Sequence, residues 1–310
     1  MKCRFRLLMG AMLVIAMLAL GGCSGDSKSA GGKIVFSSHD ANDGFPSMIY
    51  DAVLERAQKA GIEVELLNAK GDINEQVDQL NAAIDQKPNA IVLLPVEGTG
   101  IVPTVQKINK AEIPVIQTNR DLNGGEFSGV MSDERQAGQL QGEFMAKNLP
   151  QGAKIVYLMG EPNLSSSKDR WEGFKETCLD KRPDITLLAK AECDWSEAQG
   201  LRYMTMWLEV FPQIDAVVSA NDTMAIGAIK AMKAAGRNNG VLVCGCDGLK
   251  VGLDAVASGD MALTVQQNAD KTADAIMDLV QKAIGGNPST DKVKVPYTEI
   301  TSANVAQFRQ

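Results

Sequence analysis

Carboxylate, amide and guanidinium side chains recur at one kind of place in this 310-residue chain, directly after short β-branched runs. His39-Asp40-Ala41-Asn42-Asp43-Gly44-Phe45 follows the first run, Asn119-Arg120-Asp121 another and Glu161-Pro162-Asn163 a third. Asp194-Trp195, Asn221-Asp222, Asp247-Gly248 and Gln267-Asn268 repeat the arrangement. Each hydroxyl of a small ligand needs a donor and an acceptor, which these groups supply together, and Asp/Arg pairs add charge-assisted bonds. Trp195 and Phe45 are suited to cover apolar C–H faces. The set fits a polyhydroxylated ligand better than a reaction. His39 is the sole histidine, so paired-imidazole acid–base chemistry and multi-histidine metal sites are out of reach. No G-x-S-x-G elbow, P-loop or G-x-G-x-x-G follows a strand, and Gly245-Cys246-Asp247-Gly248 lacks phosphate-loop spacing. A hydrolase built on paired carboxylates is the enzymatic alternative that the acidic composition leaves open. No catalytic residue, cofactor or metal is expected.

Such residues need a scaffold that gathers strand ends. Strand-like runs at 33–38, 62–67, 90–94 and 115–117 alternate with amphipathic helical segments, and the rhythm resumes at 154–158, 185–189, 216–219 and 241–244. The first helical segment places Phe45, Met48, Ile49, Ala52, Val53 and Ala57 on one face, with Pro46 in its opening turn. Helices are also expected at 201–211 and 224–235, and a further strand at 263–265. This alternation predicts an α/β protein with parallel sheets covered on both faces, in which ligands bind outside the carboxyl ends of the strands. Two runs of βαβ units meet near 127–132, which marks a passage from one doubly wound unit to the next. Asp222 is also suited to a helix N-cap, while Asn221 and Asp247 are the stronger ligand candidates. Arg170 sits where it could equally be a solvated helix residue. Trp171 and Trp207 fall within helical patterns and suit packing.

Residues 1–22 combine basic Lys2, Arg4 and Arg6 with an apolar run from Leu7 to Leu20. That run is too short and wrongly flanked for a stable span and reads as a secretory signal. Its loss removes three positive charges, taking the formal charge from −7 to −10. A mature chain this acidic, with no basic run, is not expected to bind nucleic acid. Residues 24–32 (SGDSKSAGG) read as a flexible tether. Of six cysteines, Cys178, Cys193, Cys244 and Cys246 are expected as free buried thiols, with a Cys178–Cys193 bridge the alternative.

The Leu20-Gly21-Gly22-Cys23 ending resembles a bacterial lipobox, which implies lipidation of Cys23, an extracytoplasmic location and membrane attachment through that anchor only. The remainder resembles the solute-binding proteins of sugar transporters, of the ribose- and galactose-binding type. The resemblance rests on 219–228 (SANDTMAIGA), 243–248 (VCGCDG), 169–174 (DRWEGF) and 114–120 (PVIQTNR). It implies the type I periplasmic binding protein fold, two doubly wound parallel-sheet α/β domains joined by three crossovers. Residues 33–131 plus 268–297 would form one domain, and 132–267 plus 298–310 the other. The family's ligand arginine, amides and aspartate fall on Arg170, Asn221, Gln267 and Asp247. Trp195 and Phe45 take aromatic positions, the Asn119-Arg120 pair stands where ribose binders carry Asp-Arg, and Asp43 belongs to the first ligand loop. The implied function is capture of a monosaccharide or polyol in the interdomain cleft and delivery to an ABC permease. A chemoreceptor or sensor kinase is the alternative partner, and a non-sugar hydroxylated signal or nucleoside the alternative ligand. Asn119 for aspartate and Cys246 for an aromatic neighbour argue against ribose itself. The turn at 147–152 lacks the oxygen-rich calcium loop of galactose binders. DNA-binding repressors share the fold but need an N-terminal helix-turn-helix where this chain carries its signal.

Overall fold

The computed structural model describes residues 31–42 and 44–309, so the signal segment, Cys23 and Asp43 lie outside the described residues. The chain opens with β1 (Lys33–Ser38), α1 (Gly44–Lys59), β2 (Glu63–Asn68), α2 (Ile73–Asp85), β3 (Ala90–Leu93), α3 (Val102–Lys110), β4 (Val115–Thr118) and β5 (Ser128–Ser132). It continues through α4 (Glu134–Asn148), β6 (Lys154–Met159), α5 (Ser165–Phe174) with a π-helical turn (Lys175–Leu179), β7 (Thr186–Glu192) and α6 (Glu197–Val210). Then come β8 (Ala216–Ser219), α7 (Asp222–Ala234), β9 (Leu242–Asp247), α8 (Lys250–Ser258), β10 (Leu263–Gln266), α9 (Ala269–Ile284), β11 (Lys292–Val295) and β12 (Thr298–Thr301).

The strands form two six-stranded sheets, in orders β11-β5-β4-β3-β1-β2 and β12-β10-β9-β8-β6-β7. The first is parallel throughout, and the second is parallel except for β12, which runs antiparallel to β10. The chain passes between sheets three times, after β5, β10 and β11. Each sheet reverses its winding beside its first strand, at β1/β3 and at β6/β8. Doubly wound sheets open a crevice at such a switch point. This is the α/β architecture expected from the alternation.

Burial on both faces explains the near-continuous apolar strands. Ile34 and Phe36 of β1 face a cluster built with α1 and α9, whereas Val35 faces one built with α2 and α3, the two-residue alternation of a strand. On α1, Phe45, Ile49, Val53 and Ala57 are buried, while Met48 and Ala52 pack at the margin. Trp207 is buried in the core of the second sheet, and Trp171 packs edge-on against Tyr157 at 4.8 Å. Cys178, Cys193, Cys244 and Cys246 are buried free thiols, and burial pushes Cys178 up to about 11 and Cys193 up to about 12.

Several boundaries differ from the expected ones. β9 runs on to Asp247 and β7 to Glu192, and α6 begins at Glu197. The edge strands β11 and β12 and the short β5 carry no long apolar run, so local periodicity does not announce them.

Glycines set the helix spacing. A Cβ on Gly138 of α4 would stand 1.9 Å from the Arg170 carbonyl oxygen, so α5 lies directly on α4. At the α6–α7 crossing, a Cβ on Gly200 would meet the Met224 oxygen at 2.3 Å and one on Gly227 the Glu197 oxygen at 2.2 Å. These neighbours are backbone and cannot swing aside. Gly200→Ala and Gly227→Ala should therefore each lower the unfolding free energy by about 1–3 kcal/mol in urea melts. Unchanged midpoints would mean that the helices separate at no cost.

Candidate functional site

Both sheets direct their carboxyl strand ends toward one cavity of about 60 Å³. By water-sized increments of about 10–15 Å³ it holds the volume of roughly four to six waters, the scale of one small polyol. From the first sheet, Phe45 arrives on the opening turn of α1, and Asn119 and Arg120 follow β4. From the second, Arg170 projects from α5, Trp195 follows β7, Asn221 follows β8, Asp247 ends β9 and Gln267 follows β10. All eight described candidates line this one space, and the ninth, Asp43, is the residue outside the described set. A larger outer cavity of about 520 Å³, lined by His39, Asp40 and Asp194 among others, shares Arg120 and Trp195 with the inner one.

Polar links between described residues join the sides of the cleft. Arg120 pairs with Glu161 at 3.2 Å, and the Ser165 backbone N–H donates to Asp121 Oδ2 at 3.1 Å. Arg120 is held in place by a further bond to the Val96 carbonyl at 3.3 Å.

Arg170 organises the interior. It is 2% exposed, and its Nε donates to Glu134 Oε2 at 2.7 Å. Its Nη1 donates to the Ala220 carbonyl and to Asp247 Oδ1 (3.3 Å), and its Nη2 to Tyr297 Oη (2.8 Å). A guanidinium has five N–H donors, so these four bonds leave one for a ligand. Arg170 is therefore a buried hub rather than a solvated helix residue. Gln267 Nε2 also donates to Asp247 Oδ1, at 3.2 Å, while Gln267 Oε1 is buried without a partner. Tyr297 Oη donates to Glu134 Oε2 at 2.8 Å, and burial holds this phenol protonated, well above its ordinary range.

The backbone is strained around the site. Asn119, Asp194, Trp195 and Asp247 all take positive φ (63°, 48°, 60° and 113°), a conformation that costs non-glycine residues about 1–3 kcal/mol. Trp195 lies on Gly160, where a Cβ would come within 2.2 Å of the indole, and its ring sits 5.5 Å from the Arg170 guanidinium carbon. Gly160 thus makes the bed for the ring.

Asn221, rather than Asp222, takes the helix-capping role. Asn221 is the N-cap of α7: its Oδ1 accepts from Met224 N at 2.9 Å and its Nδ2 donates to the Trp195 carbonyl at 3.3 Å, though it still lines the cavity. Asp222 lies one residue inside the helix and is fully buried. Its carboxyl accepts from Leu249 N (2.8 Å) and Thr264 Oγ1 (2.7 Å), tying together the ends of β8, β9 and β10. Sequence reasoning missed Glu134 and Tyr297. Glu134 follows β5, and Asp133-Glu134 is an acidic strand-end pair like the others. It went unread because SGVMS does not look like a strand.

A family model described as a periplasmic binding protein domain matches residues 34–288. A xylitol-binding protein of Mycolicibacterium smegmatis is 34% identical over 252 residues, 80% of this chain and 71% of its own length. A ribose import binding protein of Escherichia coli is 28% identical over 257 residues, 83% of this chain and 84% of its own. Among solved structures, an ABC transporter solute binding protein from Bacillus halodurans with bound myo-inositol matches with a TM-score of 0.83 at 30% identity. It covers 91% of this chain and 99% of its own.

Burial, with Asp247 nearby, holds the Asp222 carboxyl well above its ordinary range. The unfolded carboxyl titrates near 3.9, so above that pH the folded protein retains a proton the unfolded chain releases. The resulting stabilisation is present at low pH and lost as pH rises through the folded value. Asp222→Asn, which cannot ionise, should gain stability relative to the parent as pH rises above about 4, the unfolded carboxyl's value. A urea-midpoint difference that stays constant over that range would show that Asp222 ionises without penalty.

Proposed function

We propose that this chain, which belongs to the periplasmic binding protein family, is a lipid-anchored receptor that closes over one monosaccharide or polyol and delivers it to an ABC permease. Its family comprises extracytoplasmic, non-enzymatic receptors of ABC transporters for sugars and polyols. The observation that carries the proposal is the inner cavity, in which two guanidiniums, carboxylates, amides and an indole converge from the strand ends of both sheets. Each sheet with its helices would act as one closing domain, with boundaries at 131/132, 267/268 and 297/298. The residues contributed from both sides, Phe45, Asn119 and Arg120 facing Arg170, Trp195, Asn221, Asp247 and Gln267, would favour closure by the contacts they gain with ligand only when shut. Asp43, in the first loop, would complete the set. The relatives' ligands, xylitol, ribose and myo-inositol, are uncharged polyhydroxylated molecules, which supports that ligand class here. A chemoreceptor or sensor kinase would recognise the same closed form.

Calorimetry and Trp195 fluorescence with xylitol, ribose and myo-inositol test this directly. At least one should bind with 1:1 stoichiometry, and Asp247→Ala should weaken it at least tenfold, since unpairing a buried charged bond costs about 2–5 kcal/mol. Full affinity in that variant would remove Asp247 from the site.

Lipidation of Cys23 would supply two acyl chains, enough for stable anchoring at about 0.8 kcal/mol per buried methylene. Cys23→Ala should shift the protein from the membrane fraction to the soluble one or stall its processing. Normal maturation with unchanged fractionation would reject the anchor.

A further inference from the structure

We infer that Glu134 is a specificity-determining residue that requires a hydrogen-bond donor from the ligand, and that Tyr297 is the positioning residue that aims it. This rests on the polyol-receptor function proposed above and narrows its ligand class. Glu134 is 6% exposed and lines the inner cavity. Its Oε2 takes both of its side-chain bonds, from Arg170 Nε at 2.7 Å and Tyr297 Oη at 2.8 Å. Oε1 is left for the cavity. Arg170 Nη2 closes the triangle on the Tyr297 oxygen at 2.8 Å, so three mutual bonds fix the direction of the carboxylate. Glu134 opens α4 and Tyr297 lies between β11 and β12, so both sit where the chain passes between sheets. The carboxylate is aimed by the same segments that must move if the cleft opens.

Around Glu134 the cavity consequently asks for hydrogens. Gln267 Oε1 is a second buried acceptor without a partner, and Arg170 keeps a single N–H, while the cavity's other guanidinium, Arg120, comes from the first sheet and pairs with Glu161. A ligand hydroxyl can donate to Glu134 Oε1. A ligand carboxylate or phosphate placed there brings no hydrogen and meets like charge, a mismatch that desolvation strengthens. The Glu134 end of the cavity therefore accepts the hydroxyls of neutral polyols and aldoses and rejects the carboxylates of the corresponding acids.

The experiment pairs each neutral compound with its acid: ribose with ribonate and xylitol with xylonate, measured by calorimetry on the parent, Glu134→Gln and Tyr297→Phe. The parent should favour the neutral member at least about 100-fold. Glu134→Gln, which offers an amide N–H in place of an oxygen, should weaken neutral binding about tenfold and narrow the neutral-to-acid ratio by at least as much. Tyr297→Phe should narrow the ratio in the same direction by a smaller factor. A purely structural role for the pair would lower the melting temperature and leave the ratio alone, and an unchanged ratio in both variants overturns the inference while the receptor function stands. A parent protein that binds neither ribose nor xylitol, nor myo-inositol as the independent control, overturns the proposed function and this inference together.

Discussion

A guanidinium buried far from water holds this structure to its design. The Arg170 side chain is almost wholly enclosed, and an ion in such a place is tolerated only when paired and hydrogen-bonded. Its partners come from four separate parts of the chain: Glu134 at the start of α4, Ala220 after β8, Asp247 at the end of β9 and Tyr297 before β12. Removing one partner of such a cluster typically costs about 3–5 kcal/mol, because the remaining charge is stranded. Those segments must therefore arrive together or not at all. The close α4–α5 crossing at Gly138 is what lets the Arg170 turn of α5 reach Glu134.

The same cluster joins support to recognition. Glu134, Arg170, Asp247 and Gln267 line the cavity, and each is already bonded to another of the four. Among what they leave for a ligand are one N–H of Arg170, the Gln267 side-chain oxygen and Glu134 Oε1. Side chains fixed by their neighbours lose little entropy when a ligand arrives, so few contacts suffice for selective binding. The strained φ values at Asn119, Trp195 and Asp247 fall on residues that line the same cavity.

Across the cleft the links are of another kind. Arg120–Glu161 and Asp121–Ser165 N are few and partly exposed, and exposed ion pairs contribute only about 0–1 kcal/mol each. The two sides are thus joined strongly where the chain crosses and weakly at the rim. Weak links at the rim are compatible with the closure proposed above, in which ligand contacts decide the equilibrium.

The amino-acid sequence by itself determined the alternation of strands and helices, hence the α/β class, and the rule that function gathers at strand ends. Phe45, Asn119, Arg120, Trp195, Asn221, Asp247 and Gln267 were legible because each follows a strand whose apolar run is a local signal. Arg170 was legible through its motif, but its burial was not, because nothing near position 170 foretells a partner 127 residues away at Tyr297. Glu134 was hidden behind a short strand that only neighbours in the sheet make extended. Asn221 and Asp222 show the limit most sharply. Both are competent N-caps by local chemistry, and one residue of register, set by how β8 packs between β6 and β9, gives Asn221 the cap and sends Asp222 into the core. Periodicity and capping are encoded over a few residues, whereas the pairing of buried charges is encoded only by contacts that folding brings together.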